Sequence, residues 1–222
     1  MFGVLSYQEM LDIQTSRFSI PDEKGHRPSV RMIGVLFARP ESNLAAKEVV
    51  PNLGYFHVRS GKHVDFFCAG YGPDDPREPV NRINVSDMGW KFYPAKFNDL
   101  RQELEPPRTN WRYSGGTDLI LTNARLEPNT LRAFFDFETT VKCYLDEMIR
   151  IGAIPSVEEF FERIFRYAES ASGDDPTWGF SDAEGLNAGK QSLINLLLSL
   201  LPKNLGKELR RVAVFAASKR SA

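Results

Sequence analysis

The segment Val30–Phe37 is apolar at nearly every position and lacks the two-residue alternation of a half-exposed strand. It reads as a strand covered on both faces. Pro40 ends it, Ser42 or Asn43 caps a short helix through Val50 that stops near Pro51, and a second strand follows over His63–Tyr71. Strand, helix and strand within about forty residues is the pattern of a parallel βαβ crossover, which requires helices on the sheet faces. The expected class is therefore α/β, or α+β: a mixed β-sheet with an N-terminal βαβ unit and a helical C-terminal third. A thioredoxin-like or Rossmann-like core is compatible with that order of elements. It carries no redox implication, because neither Cys68 nor Cys143 belongs to a CxxC pair.

Other elements follow from capping and periodicity. Ser6 and Glu9 form a capping box for a helix to Phe18, and Ser156 with Glu159 forms one for a helix whose Val157, Phe160, Phe161, Ile164, Phe165 and Ala168 keep the 3.6-residue period. Val80–Val85 and Trp90–Tyr93 read as short strands, and Pro94–Glu105 as a helix. Trp111–Tyr113, the turn Ser114-Gly115-Gly116 and the alternating Thr117–Asn123 read as a hairpin; Leu131–Thr139 reads as one more strand. From Thr140 the pattern turns helical, beginning with Val141–Ile151, where Thr139 or Thr140 is placed to cap. Ser172–Gly189 reads as a loop or weak helix. Lys190–Leu201 is a helix apolar on most of its circumference, and Lys207–Ala222 is a last helix or, through Arg211–Ala217, an edge strand. The organisation expected is one domain over 1–222, with a sheet portion 1–139 and a helical subdomain 140–222.

Charge narrows the function classes. Twenty-eight basic against 29 acidic side chains leave a net charge of −1, too little for a protein held to nucleic acid or anionic lipid by its whole surface. The balance is uneven along the chain. Ser156–Glu184 holds eight acids and two bases, and Lys203–Ala222 six bases and one acid, so nucleic acid is expected only at the basic tail 203–222. The longest apolar run, Leu193–Leu201, is interrupted by Ser199 and too short to span a bilayer, and the first ten residues lack a leader pattern. With both cysteines in apolar stretches, a cytoplasmic location without membrane association is expected.

Chemistry-bearing residues gather in three places. His57-Val58-Arg59-Ser60-Gly61-Lys62-His63-Val64-Asp65 holds two of the three histidines. Strand alternation puts His63 beside Asp65, and an extended segment would put His57 beside Arg59. A histidine oriented by a carboxylate is a candidate general base or metal ligand, and Arg59 with Lys62 are candidate ligands for phosphate or carboxylate. The second place is the carboxyl ends of the two parallel strands, where open α/β sheets bind their ligands. There stand Ala38-Arg39-Pro40-Glu41-Ser42 and Gly70-Tyr71-Gly72-Pro73-Asp74-Asp75-Pro76.

The third place is Phe134-Phe135-Asp136-Phe137-Glu138-Thr139-Thr140. It resembles the first motif of the DnaQ-like (DEDD) 3′–5′ exonucleases, a strand carrying Asp-x-Glu-Thr-Thr-Gly. The resemblance implies Asp136 and Glu138 as ligands of paired divalent metals that activate water. Val141 stands where the family has Gly, no histidine follows His63, and Tyr167 has no aspartate four residues on. Ser114–Asp118 lacks the Walker spacing and lysine, and Gly189-Lys190-Gln191-Ser192 follows no strand.

Three readings of function follow. The first is a non-catalytic intracellular interaction or ligand-sensing module, without a cofactor, working with a protein partner or as a homo-oligomer. The alternative is a metal-dependent phosphodiesterase or nuclease using Asp136 and Glu138, with His63 and Asp65 as further candidates. A hydrolase with His57 or His63 as base is a third.

Overall fold

The computed structural model describes residues 1–21, 28–60, 63–75, 83–85, 89–170, 175–182 and 215–219. Strand β2 (Val30–Phe37) is buried from Met32 onward and pairs in parallel with β3 (Val64–Ala69), as the doubly covered apolar run requires. β3 in turn pairs in parallel with a short strand β1 (Phe2–Val4). On its other side β2 pairs antiparallel with β7 (Asp118–Leu126), β7 with β8 (Ala133–Tyr144), and β8 with β9 (Phe215–Lys219). The result is a mixed sheet ordered β1-β3-β2-β7-β8-β9. A small antiparallel sheet, β4 (Tyr71–Gly72), β6 (Trp90–Phe92) and β5 (Ile83–Val85), continues from the end of β3.

Helices cover both faces of the large sheet. α1 (Tyr7–Phe18) starts at Ser6, whose hydroxyl accepts from the Glu9 amide while the Glu9 carboxylate accepts from the Leu5 amide. It lies on the face that carries Phe37 and Phe67. The opposite face is covered by α2 (Leu53–Arg59) and α5 (Val157–Ser170), joined through the stacked rings of Phe56, Phe161 and Phe66 at 4.6 and 4.8 Å. Gly34 makes that stack fit: a Cβ there would stand 2.5 Å from the Phe66 ring. α3 (Pro94–Leu104) packs at the carboxyl end of β3, where Gly70, at φ +77°, passes against the Phe97 backbone.

Three sequence expectations are corrected. The crossover helix does not stop at Pro51: a π-helical turn, Ala45–Val49, and a 3₁₀ turn, Val50–Asn52, lead into α2. Proline is tolerated in the first turn of a helix, and the buried Ala45, Val49, Leu53 and Phe56 carry one apolar stripe through the change of pitch. Next, Val141–Tyr144 is strand, and only Leu145–Arg150 forms a helix, α4. Thr139 and Thr140 are therefore buried mid-strand residues and cap nothing. Lastly, Ser114–Gly116 does not join two paired strands. The hairpin of this region is β7–β8, closed over 127–132, whereas 109–113 is an irregular segment with Trp111 fully buried against Phe37 at 4.6 Å.

The β7–β8 register shifts between Thr122 and Asn123, leaving Phe137, Glu138 and Thr139 outside the regular pairing. The Thr122 hydroxyl lies at 2.6 and 2.9 Å from the Asp136 and Thr139 carbonyls exposed by that shift. Short helix α6 (Pro176–Asp182) falls within the stretch read as loop or weak helix. It is held to the sheet by Asp175, which accepts from Asn123 and Thr139. The expected helix Lys190–Leu201 lies outside the described residues, and of the tail 203–222 only β9 lies within them. No helix among the described residues is long and apolar enough to cross a membrane.

Candidate functional site

Where β2 ends at Phe37, it lies opposite Asp118, the first residue of β7, which lies opposite Tyr144, the last residue of β8. The chain leaving β2 turns at once, the Ser42 amide donating to the Arg39 carbonyl at 2.9 Å. Arg39 swings over α3: its guanidinium lies 5.1 Å above the Phe97 ring and its Nη2 donates to Asn98 Oδ1 at 3.1 Å. Glu41 is its ion-pair partner at 3.9 Å. Arg101 lies one helical turn beyond Asn98 and shares its face of α3.

The loop after α3 forms the other wall of this edge. Thr109 Oγ1 donates to the Leu104 carbonyl and accepts from the Trp111 amide, Glu105 accepts from the Tyr113 amide, and the Tyr113 hydroxyl donates to the Gly116 carbonyl. Asp118 bolts the loop from below. Its carboxylate accepts from Trp111 Nε1 at 3.0 Å, from the Ser114 amide at 2.9 Å and from the Ser114 hydroxyl. All three donors are neutral and the side chain is buried, so desolvation pushes the Asp118 carboxyl up to about 6 against the pull of those hydrogen bonds, with Asp146 adding a smaller push. Burial also pushes the Tyr113 phenol up, to about 12. Arg39 pulls it back down, and Asp118, Asp146 and Glu41 add smaller upward pushes.

Buried polar atoms are almost always hydrogen-bonded, so those that are not mark a place. At this edge Arg39 Nε, Ser42 Oγ, Arg101 Nε and Thr117 Oγ1 are buried without a hydrogen-bond partner among the described residues.

The residues singled out from sequence are dispersed. His57 lies on α2, not on an extended segment, and its Nδ1 meets the Met1 carbonyl at 2.6 Å. Two positions apart on a helix diverge by about 200°, so Arg59 turns to α5, forking onto Glu162 at 3.0 and 3.1 Å. Lys62 lies outside the described residues, and His63 is exposed just before β3 begins. Asp65 is buried at the amino end of β3, where Gln14 Nε2 and Arg31 Nε each donate to Oδ2 at 3.0 Å and Arg17 stands 3.3 Å from Oδ1.

Asp136 pairs with Arg125 across the strands at 2.6 Å and also accepts from the Glu138 amide; Glu138 itself is exposed. Both lie at the far end of β7 from Asp118. Among the described residues no three His, Cys, Asp or Glu side chains are grouped to hold a metal ion.

The loop Ala38–Ser42 is thus the sequence-flagged segment that reaches the site. Asn98, Arg101, Trp111 and Tyr113 carry no signal in the sequence, because only the fold brings α3 and its following loop to the end of β2. Compared with protein-family models, curated proteins and solved structures, the chain matches none of them.

Proposed function

We propose that the chain is a non-catalytic ligand-sensing module whose ligand sits at the carboxyl edge of β2, between the Arg39–Ser42 turn, α3 and the loop 105–118. One observation carries this reading: the segments that form this edge hold the buried polar atoms of Arg39, Ser42, Arg101 and Thr117 that have no hydrogen-bond partner among the described residues. Elsewhere the charged groups are ion-paired, Asp65 with two arginines, Asp136 with Arg125 and Arg59 with Glu162, although Gln14 Oε1, Arg17 Nε and Asp65 Oδ1 at the amino edge are likewise buried without a hydrogen-bond partner among the described residues. The position supports it as well, since open sheets with parallel strands take ligands beyond the strands' carboxyl ends. Sensing would work through the loop. Its backbone is held by Asp118, Glu105 and Thr109, and a ligand drawing on Arg39 or Thr117 alters the same hydrogen-bonded unit.

The test is a screen of a soluble metabolite library against the full chain, read as backbone amide shifts. Ligands that move amides in 39–42, 97–101 and 111–118 are expected. A library that moves none of them overturns the reading.

A further inference from the structure

The loop after α3 is held by carboxylates from three directions. Glu105, at the end of α3, accepts from the Tyr113 amide at 3.0 Å; Asp118, opening β7, accepts from the Ser114 amide at 2.9 Å, from the Ser114 hydroxyl and from Trp111 Nε1; Asp146 of α4 accepts from the Thr117 amide. Gly116 makes the last approach possible, since a Cβ there would stand 2.6 Å from Asp146 Oδ2. Every one of these donors is neutral. Among the described residues no cation pairs with Asp118: Arg39 donates to Asn98 and pairs with Glu41, and Lys142 of β8 donates to the Asn110 carbonyl of the same loop at 2.9 Å. The other titratable groups around Asp118 are Cys143 and Tyr144 of β8 and Tyr113 of the loop, and burial pushes all three up, so they stay uncharged.

Shutting this loop therefore collects like charge in a buried place. Trp111 closes with it, fully buried against Phe37, and the carboxylate beneath loses water while the loop is down. Ionised, Asp118 is disfavoured by that burial and by Asp146; a lifted loop returns it to water. Protonated, it keeps the closed bonds: Oδ2 still accepts from Trp111 and the Ser114 amide, and a proton on Oδ1 points at the Ser114 hydroxyl, which can accept it. A group that prefers its proton in one conformation and its charge in the other couples the two. We propose that the segment 109–117 is a proton-gated clasp over the carboxyl edge of β2, shut while Asp118 is protonated and loosened when that proton passes to solvent. As regulation of a ligand edge the clasp rests on the ligand-sensing reading above; its response to protons does not.

The experiment is hydrogen exchange of the full chain, read by NMR in steps from about pH 5 to about pH 7.5, with each amide's rate divided by its intrinsic rate at that pH and the Asp118 carboxyl carbon titrated alongside. Protection of the Ser114 and Thr117 amides should fall about tenfold over that range, the ratio set by linkage for a carboxyl at about 6 when the loop is shut and at its ordinary 3.8 when it is open. The amides of β2 should remain the slower set, because the loop opens without the sheet. Asp118→Asn, the isostere of the protonated carboxyl, should leave the loop equally protected throughout. If that variant fails to fold, the wild-type chain decides: the loss of protection must level off at the midpoint of the Asp118 carboxyl titration.

The clasp is overturned if loop protection does not change with pH, if it changes as much in Asp118→Asn, if it levels off away from the carboxyl midpoint, or if the loop and β2 exchange together, which would make the change one of global stability. The clasp and the ligand site fail separately. Ligands found at this edge by the metabolite screen, with a loop indifferent to pH, remove the clasp and leave the ligand-sensing reading. A proton-linked loop with no ligand at either end of the pH range removes the ligand-sensing reading and leaves the clasp.

Discussion

Two buried aspartates mark opposite ends of the same sheet face, and they are satisfied in opposite ways. Asp65 lies beside Ile33 of β2 and Asp118 beside Phe37, so about 13 Å of strand separates the two levels. At the amino end, Arg31 and Arg17 balance the Asp65 charge and buried Gln14 adds a third contact. At the carboxyl end, Asp118 has only an indole, an amide and a hydroxyl, while Arg39 turns to Asn98 and Glu41. Charge paired with charge makes a joint, whereas charge held by neutral donors makes a group that responds to its surroundings. The amino edge therefore holds its buried carboxylate by opposite charge, and the carboxyl edge holds its own by neutral donors.

The largest effect should come from breaking the joint. Asp65→Asn keeps the shape but strands two partly buried guanidinium groups, and loss of one member of a buried ion pair costs roughly 3–5 kcal/mol. Urea unfolding should show that loss as a lower midpoint. A change under about 1 kcal/mol would mean that the arginines have solvent or other partners to turn to, and the contrast between the two ends would collapse.

A smaller effect, of characteristic sign, belongs to Asp118. Its folded-state pKa of about 6 stands above the ordinary 3.8, so between those values the folded chain holds a proton that the unfolded chain has lost. The stabilisation is fully present below 3.8 and is lost as pH rises through about 6. Two units of difference set a ceiling of about 3 kcal/mol. Subtracting the stability profile of Asp118→Asn from that of wild type isolates this term from the other carboxylates. The difference should favour wild type more at pH 4 than at pH 7, and a flat difference would show that Asp118 is not held in a low-dielectric site.

How much of this was legible depends on whether a feature is local. β2 declared itself because a strand buried on both faces must be apolar throughout, and the Arg39–Ser42 turn was flagged because the end of such a strand is where ligands bind. The end of β8 misled for a physical reason. Val141, Leu145 and Met148 fall at helical spacing, yet the first belongs to a strand and the others to α4, which continues it. The π-helical and 3₁₀ turns before α2 were hidden by Pro51, whose usual role is to stop a helix. Within the site, Arg39 meets Asn98 across 59 residues, and no periodicity reports a contact of that kind. The cluster at His57–Asp65 was dense in sequence and dispersed in space, because a helix end, a turn and a strand start send its side chains to three different partners.

The finest distinction between the two ends lies in a single hydroxyl. Ser114 donates to Asp118 through both its amide and its side chain, and both bonds favour the ionised carboxylate against burial. Ser114→Ala keeps the amide and removes the hydroxyl, so the Asp118 carboxyl should move further up, by less than about one pH unit for one neutral hydrogen bond. Carboxyl-carbon NMR titration reads that midpoint directly, and the pH at which stability is lost should rise with it. A midpoint that stays in place would show that the Ser114 hydroxyl is turned to another acceptor. A midpoint that falls would show that Ser114 had shielded Asp118 from water, leaving solvation rather than hydrogen bonding as the governing influence at this end of the sheet.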